Sequence, residues 1–450
     1  MRASLHFATA LLPDGWARDV RITVQGGLIA AIDTDTAPEE SERHAIALPG
    51  LPNLHSHAFQ RGMAGLAEMR GTGDDSFWTW RAIMYRFVDR LTPDDLAAIA
   101  ALAYAEMLES GFTRVGEFHY LHHDRDGRPF TDPAAMSAAI MAAAQETGIA
   151  LTHLPVFYAH AGFGGSAPGE GQRRFIHDVD GFAMLLDAAR AQARALPDAI
   201  VGIAPHSLRA VTTDELAALV PLAGGAPIHI HIAEQVREVE DCLAFSGTRP
   251  VAWLLDHAPV GPDWCLVHAT HMTEAETAAL ARSGAVAGLC PITEANLGDG
   301  LFPAEAFLAA GGYYGIGSDS NVRIDAAEEL RLLEYGQRLA RRGRNLLAVP
   351  GGSTGGALYR AALAGGAQAL GMAAGLRVGA AADIVSLDPD HPSLAARSGD
   401  ALLDGLVLAA GRDAIDRVWR RGREVVTHGR HVARITIAAR YRATLARLLA

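Results

Sequence analysis

The chain has 450 residues, half of them hydrophobic, and can therefore bury one large core and a smaller one. A formal charge of -12 and a pI near 5.9 argue against non-specific binding to nucleic acid or to an anionic membrane, and no apolar run is long enough to span a bilayer. All 39 basic residues are arginine, which excludes Schiff-base chemistry, a phosphate-loop lysine and a metal bridge built on a carboxylated lysine.

Residues 1–48 read as short strands joined by turns: 19–24, the turn Gln25-Gly26-Gly27, then 28–32. The same strand-turn-strand pattern returns at 382–387 and 417–426. Neither piece has enough strands to stand alone. Residues 1–48 and 375–435 are therefore expected to form one small β-sandwich domain, with a terminal helix over 436–450. Between them, 49–374 alternates apolar strand-like runs with helical segments, the pattern of an α/β protein built of βα units. One helix start is explicit at Thr92-Pro93-Asp94-Asp95, with an N-cap, a proline in the first turn and acids at the positive dipole end. Leu96, Ile99, Ala103, Met107 and Leu108 carry its periodicity to Gly111. Strands are expected at 113–118, 150–157, 200–205, 227–232, 264–268, 286–290 and 314–318. With the run before His55 they number eight, the count of a (β/α)8 barrel, whose reacting groups gather at the C-terminal strand ends.

The chemistry-bearing motifs all fall at such ends. His55-Ser56-His57 places two imidazoles on one face of an extended segment. In His229-Ile230-His231-Ile232 the isoleucines alternate with the histidines, so both rings face the barrel interior, as ligands or as core histidines. Glu234 lies just beyond that strand, where a carboxylate can carry a proton to and from water. His268 follows the next strand, where it could polarise that water or hold a developing oxyanion. Asp319, after Gly315-Ile316-Gly317-Ser318, supplies the acid expected of a zinc-type site of mixed nitrogen and oxygen donors. The three cysteines, Cys242, Cys265 and Cys290, make neither a disulfide framework nor a cysteine-type zinc site.

This order of His-x-His, His-x-x-Glu, His and Asp at strands one, five, six and eight, with a split β domain, resembles the amidohydrolase superfamily in its mononuclear deaminase branch, over essentially the whole chain. The resemblance implies that His55, His57, His231 and Asp319 hold one divalent metal ion, zinc. It makes Glu234 and His268 the catalytic pair and lets Asp319 also take the proton of the attacking water. The missing lysine fits this branch, although a glutamate-bridged pair of metals stays open. Narrower stretches resemble the formimidoylglutamate deiminase family: Phe118-His119-Tyr120-Leu121-His122-His123, Ala161-Gly162-Phe163-Gly164-Gly165, Gln172-Arg173-Arg174-Phe175, Ala204-Pro205-His206-Ser207-Leu208-Arg209 and the run from Cys290 to Gly300. That family implies hydrolysis of N-formimidoyl-L-glutamate to N-formyl-L-glutamate and ammonia in histidine degradation. It further implies that Arg81, Tyr120, His206 and Arg209 bind the substrate carboxylates and that Gln60 contacts substrate.

Blander roles stand beside these. Arg81 lies among Trp78, Trp80 and Tyr85 and could simply stack on them. His119, His122, His123 and Asp124 could be a second metal cluster but suit a polar loop better, and His271 is a neighbour of His268 rather than a ligand. Arg173 and Arg174 are candidates to close over the site, and Asn296 to Gly300 has the chemistry of a turn. The competing functions are a deaminase of a guanine-like or other heterocyclic amine, which needs a flat, apolar or amide-lined pocket, and a non-catalytic barrel scaffold, which needs no intact ligand set. An amide-bond hydrolase is disfavoured by the missing lysine. The expected partner is a small dicarboxylate, with no nucleic acid and no membrane. A homodimer is left open, and the absence of an N-terminal basic and apolar leader points to the cytoplasm.

Overall fold

A computed structural model describes residues 2–38, 43–71, 73 and 75–450. Two sheets organise the chain. The first joins both termini: strands β1 (Arg2–Leu12), β2 (Gly15–Gln25), β3 (Leu28–Asp33) and β4 (Arg43–Pro49) come from the start of the chain. Strand β5 (Leu51–Ser56) follows at once and opens the second sheet with β6 (Phe112–His119), β7 (Ala150–Phe157), β8 (Ile200–Val201), β9 (Ala204–Pro205), β10 (Ile228–Ile232), β11 (Trp264–His268), β12 (Val286–Leu289) and β13 (Tyr313–Ile316). Strands β14 (Ile384–Leu387), β15 (Ile415–Arg420), β16 (Arg423–Thr427) and β17 (Arg430–His431) return to the first sheet.

That first sheet runs β17-β16-β15-β14-β4-β1-β2-β3, and its two halves meet where β4 pairs antiparallel with β14. Its far edge then folds back: Leu28 bridges Ala381, and Ile29 donates to the carbonyl of Ala380 at 2.8 Å. The sheet so wraps a core of its own, with Phe7, Ile22, Val24, Ile29, Ile384 and Trp419 among its members. Along β2, Val20, Ile22 and Val24 point into this core.

The second sheet is parallel throughout, from β10 through β13 to β5, β6, β7 and β8. Its strands β5, β6, β7, β10, β11 and β12 are buried along their whole length, as expected when helices cover one face and the barrel core the other. The fourth barrel strand is broken into β8 and β9 at Gly202, and single bridges, Ile203 to Ile228 and Ser207 to His231, close the ring there. The helix expected from Thr92 spans Pro93–Glu109. The Thr92 hydroxyl accepts from the Asp95 amide, and the Asp95 carboxylate accepts from the Thr92 amide in return. The terminal helix is Arg434–Leu449. No helix among the described residues is long and apolar enough to cross a membrane.

Close backbone approach needs glycine between β13 and β5. A Cβ at Gly317 would lie 2.8 Å from both the Cβ and the carbonyl oxygen of His55, so only glycine lets the two strands converge there. The result is a backbone clasp in which Asp319 donates to the His55 carbonyl at 3.0 Å and His57 to the Asp319 carbonyl at 2.9 Å.

Candidate active site

Four side chains from three strand ends meet at the barrel mouth. His55, His57, His231 and Asp319 each place one ligand atom within 4.8 Å of the others, and all four residues are buried. Their tautomers follow from the outer hydrogen bonds. His57 Nδ1 lies 2.8 Å from the Phe118 carbonyl and His231 Nδ1 lies 3.1 Å from the His206 carbonyl, so each Nδ1 donates and each Nε2 keeps a lone pair. Both lone pairs face His55 Nε2, at 3.2 and 3.0 Å, with an Asp319 oxygen 3.3–3.4 Å from His55 and His57. One proton on His55 can satisfy only one of these acceptors. A cation at their centre satisfies all four, so this donor set fits a metal ion. Burial moves the rings the same way: it pushes His55 down to about 3 and keeps His231 well below its usual range, favouring the neutral ligand form.

Beside this cluster stand Glu234 and His268. Burial raises Glu234 to about 7 against the pull of the His268 imidazole. His268 itself is driven up to about 10: burial would lower it, but Glu234, a hydrogen bond to Glu294 and Asp319 together outweigh burial. Its Nε2 lies 3.9 Å from Glu234 Oε1 and 3.9 Å from Asp319 Oδ2, while Nδ1 donates to Glu294 at 3.3 Å. The backbone reaches this arrangement through left-handed conformations at Ala233, His268, Ala269, Asp319 and Asn321, all non-glycine. Such strain persists only where surrounding contacts impose it. Here Glu238 accepts the amides of Ala233 and Glu234 at 3.2 and 3.3 Å.

A cavity opens over the cluster. It is lined by His57, His231, Glu234, His268 and Asp319 on one side, and by Gln60, Arg81, Tyr120, His206 and Arg209 on the other. The residues expected to bind metal or substrate or to carry the chemistry all line this cavity except His55, which is fully buried. Gln60 donates to the Tyr120 hydroxyl at 3.0 Å and leaves its own Oε1 without a partner. His206 is neutral: burial, then Arg209, holds it far below its usual range. Arg81 is both a cavity residue and an aromatic-stacked one, its Cζ 4.4 Å from the Trp78 ring centroid.

Several expectations are corrected. His229 faces the barrel interior as its alternation with His231 requires, but two residues earlier means about 6.6 Å deeper, where its Nε2 meets the Ala369 carbonyl at 2.8 Å. Of the two readings open for it, ligand or core histidine, the second is observed. Arg174 does not close over the site: it is completely buried and donates to the carbonyls of His123, Val88 and Leu91, tying three mouth segments together, while Arg173 pairs with Asp89. His119 ends β6 and His122 and His123 lie in the loop beyond it, as expected, but all three are buried, and they form no three-ligand cluster among the described residues. The stretch from Asn296 to Gly300 is a turn only after Leu297, because Pro291–Leu297 is helical and Leu297 reaches the cavity.

Other residues were missed. Asn321 donates to Ser56, to the His57 carbonyl and to the Asp319 carbonyl, and Asn53 with Ser318 completes this buried network beside the candidate metal ligands. Glu294, which fixes His268, and the lining aromatics Phe77, Trp80, Tyr85, Tyr158 and Phe175 also escaped. The Asn321 signal was its position two residues beyond Asp319; the aromatics carry none, since Phe77, Trp80 and Tyr85 read as an ordinary helix face and Tyr158 and Phe175 as ordinary loop residues.

Buried imidazoles outside the cavity carry a stability consequence. His153 is fully buried, its Nε2 2.9 Å from the Ser137 hydroxyl, and burial takes it down to about 3. Its folded value lies below the unfolded one of about 6.5, so the stability it confers is complete above that pH and is lost as pH falls toward the folded value. Between pH 7 and pH 5 the loss from this one residue is about 2 kcal/mol. His153→Gln, which can still bond Ser137, is expected to flatten the dependence of the calorimetric melting temperature on pH over that interval; an unchanged slope would remove His153 as its source.

The fold and the site's geometry place the chain among known proteins. The sequence profile of the amidohydrolase family matches residues 46–425, and that of the N-terminal domain of formimidoylglutamate deiminase HutF matches residues 3–45. The chain belongs to the amidohydrolase family. This amidohydrolase is 54% identical, over 98% of each chain, to a formimidoylglutamate deiminase of Pseudomonas aeruginosa. It is 29% identical to a 5-methylthioadenosine/S-adenosylhomocysteine deaminase of Natronomonas pharaonis, over 84% of this chain and 81% of that one. Among solved structures, an amidohydrolase from Brucella melitensis superposes with a TM-score of 0.97 at 54% identity, covering 99% of this chain and 100% of the other. A zinc-bound adenosine deaminase from Xanthomonas campestris shares the fold, with a TM-score of 0.82 at 24% identity over 99% and 98% of the two chains. The barrel class expected from the strand count is thus the observed one, and this amidohydrolase uses a divalent metal ion.

Proposed function

We propose that this amidohydrolase hydrolyses the terminal C–N bond of N-formimidoyl-L-glutamate, releasing ammonia and N-formyl-L-glutamate in histidine degradation. One observation carries the substrate class. Arg81 and Arg209 both line the cavity, and neither has a hydrogen-bond or ion-pair partner among the described residues. Arg209 is only 8% exposed and its Nε is unpartnered. A buried guanidinium without a partner, as at Arg209, is costly, and with the half-buried Arg81 in the same cavity it suits a ligand with two carboxylates. A purine deaminase has no use for them. The division into a split β domain (1–48 and 375–435), a barrel (49–374) and a terminal helix (436–450) is supported by the two sheets, although β4 and β14 to β16 share the large core with the barrel.

The residues that would hold the metal are His55, His57, His231 and Asp319, and three ring nitrogens with one carboxylate suit a single zinc ion. Such an ion supplies the Lewis acidity that brings the pKa of water near neutrality. Glu234, whose proton affinity lies near pH 7, takes the proton from water. The oxygen bonds to the formimidoyl carbon, the C=N pair moves to nitrogen, and a tetrahedral carbon forms. His268, held by Glu294, donates a hydrogen bond to the developing charge. With the formimidoyl group entering as its amidinium, Glu234 then delivers its proton to the terminal nitrogen; as that C–N bond breaks with its pair on the departing ammonia, the hydroxyl oxygen closes the formyl C=O and gives its proton to Asp319. Tyr120, His206 and Gln60 complete the substrate contacts beside Arg81 and Arg209.

The test is ammonia release by metal-loaded protein with N-formimidoyl-L-glutamate, S-adenosylhomocysteine, guanine and an N-carbamoyl amino acid side by side. Turnover of the first at a kcat/KM above 10⁴ M⁻¹s⁻¹, on the order usual for enzymes, is expected; preference for another substrate would overturn the assignment.

A further inference from the structure

The helix Phe77–Val88 roofs the cavity with Phe77, Trp80 and Arg81, yet it buries only Met84, Phe87 and Val88, all in its C-terminal half. Its N-terminal half, which carries Arg81, needs another hold. Trp78 supplies one without lining the cavity itself. Its ring centroid lies 4.4 Å from the Cζ of Arg81, 5.9 Å from that of Arg209 and 4.9 Å from that of Arg237. Arg237 belongs to the helix Val236–Ser246, which follows closely on Glu234, and its side chain is 65% exposed with Asp241, at 3.7 Å, as its one ion-pair partner among the described residues. One indole therefore meets three guanidinium groups that come from three segments of the barrel mouth.

We propose that Trp78 and Arg237 form a latch that sets the spacing of Arg81 and Arg209, making both positioning residues that select the length of the dicarboxylate. This rests on the assignment of Arg81 and Arg209 as carboxylate binders. The physical basis is twofold. The negative face of the indole attracts a cation, so Arg237 fixes the ring on the barrel side and the ring in turn fixes Arg81. The same ring offsets the mutual repulsion of Arg81 and Arg209 until carboxylates take over that task. A substrate whose two carboxylates match the latched spacing engages both arginines at once, whereas a shorter one engages one.

Steady-state kinetics of Trp78→Leu and Arg237→Ala with N-formimidoyl-L-glutamate and its one-carbon-shorter aspartate homologue test this. The KM for the glutamate compound should rise roughly 3- to 30-fold, the range of a cation–π contact, with kcat within about twofold because no reacting atom is touched. The preference for glutamate over aspartate should shrink. Trp78→Phe and Arg237→Lys, which keep a ring and a cation, should retain most of the wild-type KM. Since Arg237 is exposed, Arg237→Ala should melt at the wild-type temperature, separating the latch from a folding defect. An unchanged KM and preference in both variants, or a loss confined to kcat, overturns the latch. Arg209→Met run in parallel tells the two ideas apart: if its KM rises while Trp78 and Arg237 variants behave as wild type, the latch alone is wrong. If Arg209→Met leaves KM unchanged, or the wild type does not turn over the glutamate compound, carboxylate binding and the latch fall together.

Discussion

Glu234→Gln is expected to lower kcat by about three orders of magnitude while leaving metal content and KM close to wild type. A positioned general acid–base group contributes roughly 10²- to 10⁴-fold, and this carboxylate is asked to move a proton twice, from water and to the leaving nitrogen. The amide is nearly isosteric, so the amide-to-Glu238 clasp behind residue 234 and the four ligand atoms at the metal site are undisturbed. It cannot take a proton near neutrality, which the buried carboxylate, raised to about 7, can. Stopped-time ammonia assays together with elemental analysis of the purified variant decide the matter. Retention of the wild-type rate, or loss of metal in step with loss of activity, would rule out Glu234 as the proton carrier.

Arg209→Met is the second large effect, expected in KM rather than in metal binding. A charge-assisted pair of hydrogen bonds contributes on the order of 1.5–3 kcal/mol, which converts to a rise in KM of roughly 10- to 150-fold. Methionine keeps most of the stem volume, so packing around a residue that is only 8% exposed is largely preserved. The substitution also removes a positive charge that the nearby Glu238 and Glu234 favour, burial notwithstanding. Glu238 holds the Glu234 amide, so some fall in kcat accompanies the rise in KM. Arg209→Lys should recover only part, because an ammonium cannot grip a carboxylate with two parallel bonds. An unchanged KM for N-formimidoyl-L-glutamate would remove Arg209 from the substrate site.

Much of this site is local information. Two histidines separated by one residue on a strand share a face whatever surrounds them, and Gly315-Ile316-Gly317 before Ser318 and Asp319 announces a strand that packs backbone against backbone. The periodicities that mark eight strands and the Thr92 cap are local too, so the barrel, its strand ends and the residues of the His/Asp/Glu cluster were legible in the sequence, whereas Gln60, Arg81, Tyr120, His206 and Arg209 came only from the family resemblance. Depth was not legible. His229 and His231 have the same pattern and neighbours, yet one is a core residue and the other faces the mouth, because their height along the barrel axis is set by the register of β10 on its neighbours.

The same holds for Arg81 and Arg174. Both are arginines in mouth segments, but Arg174 spends its donors on three backbone carbonyls and Arg81 spends none. Composition and motif order by themselves determined the architecture, the donor types and the absence of lysine chemistry, since each depends on residue identity and periodicity. Tertiary structure alone decided which buried polar group keeps an unsatisfied valence, since that depends on every neighbour the fold brings within reach. The facing lone pairs of His55, His57 and His231 and the unpartnered guanidiniums of Arg81 and Arg209 are such valences, and they are where a metal ion and a dicarboxylate fit.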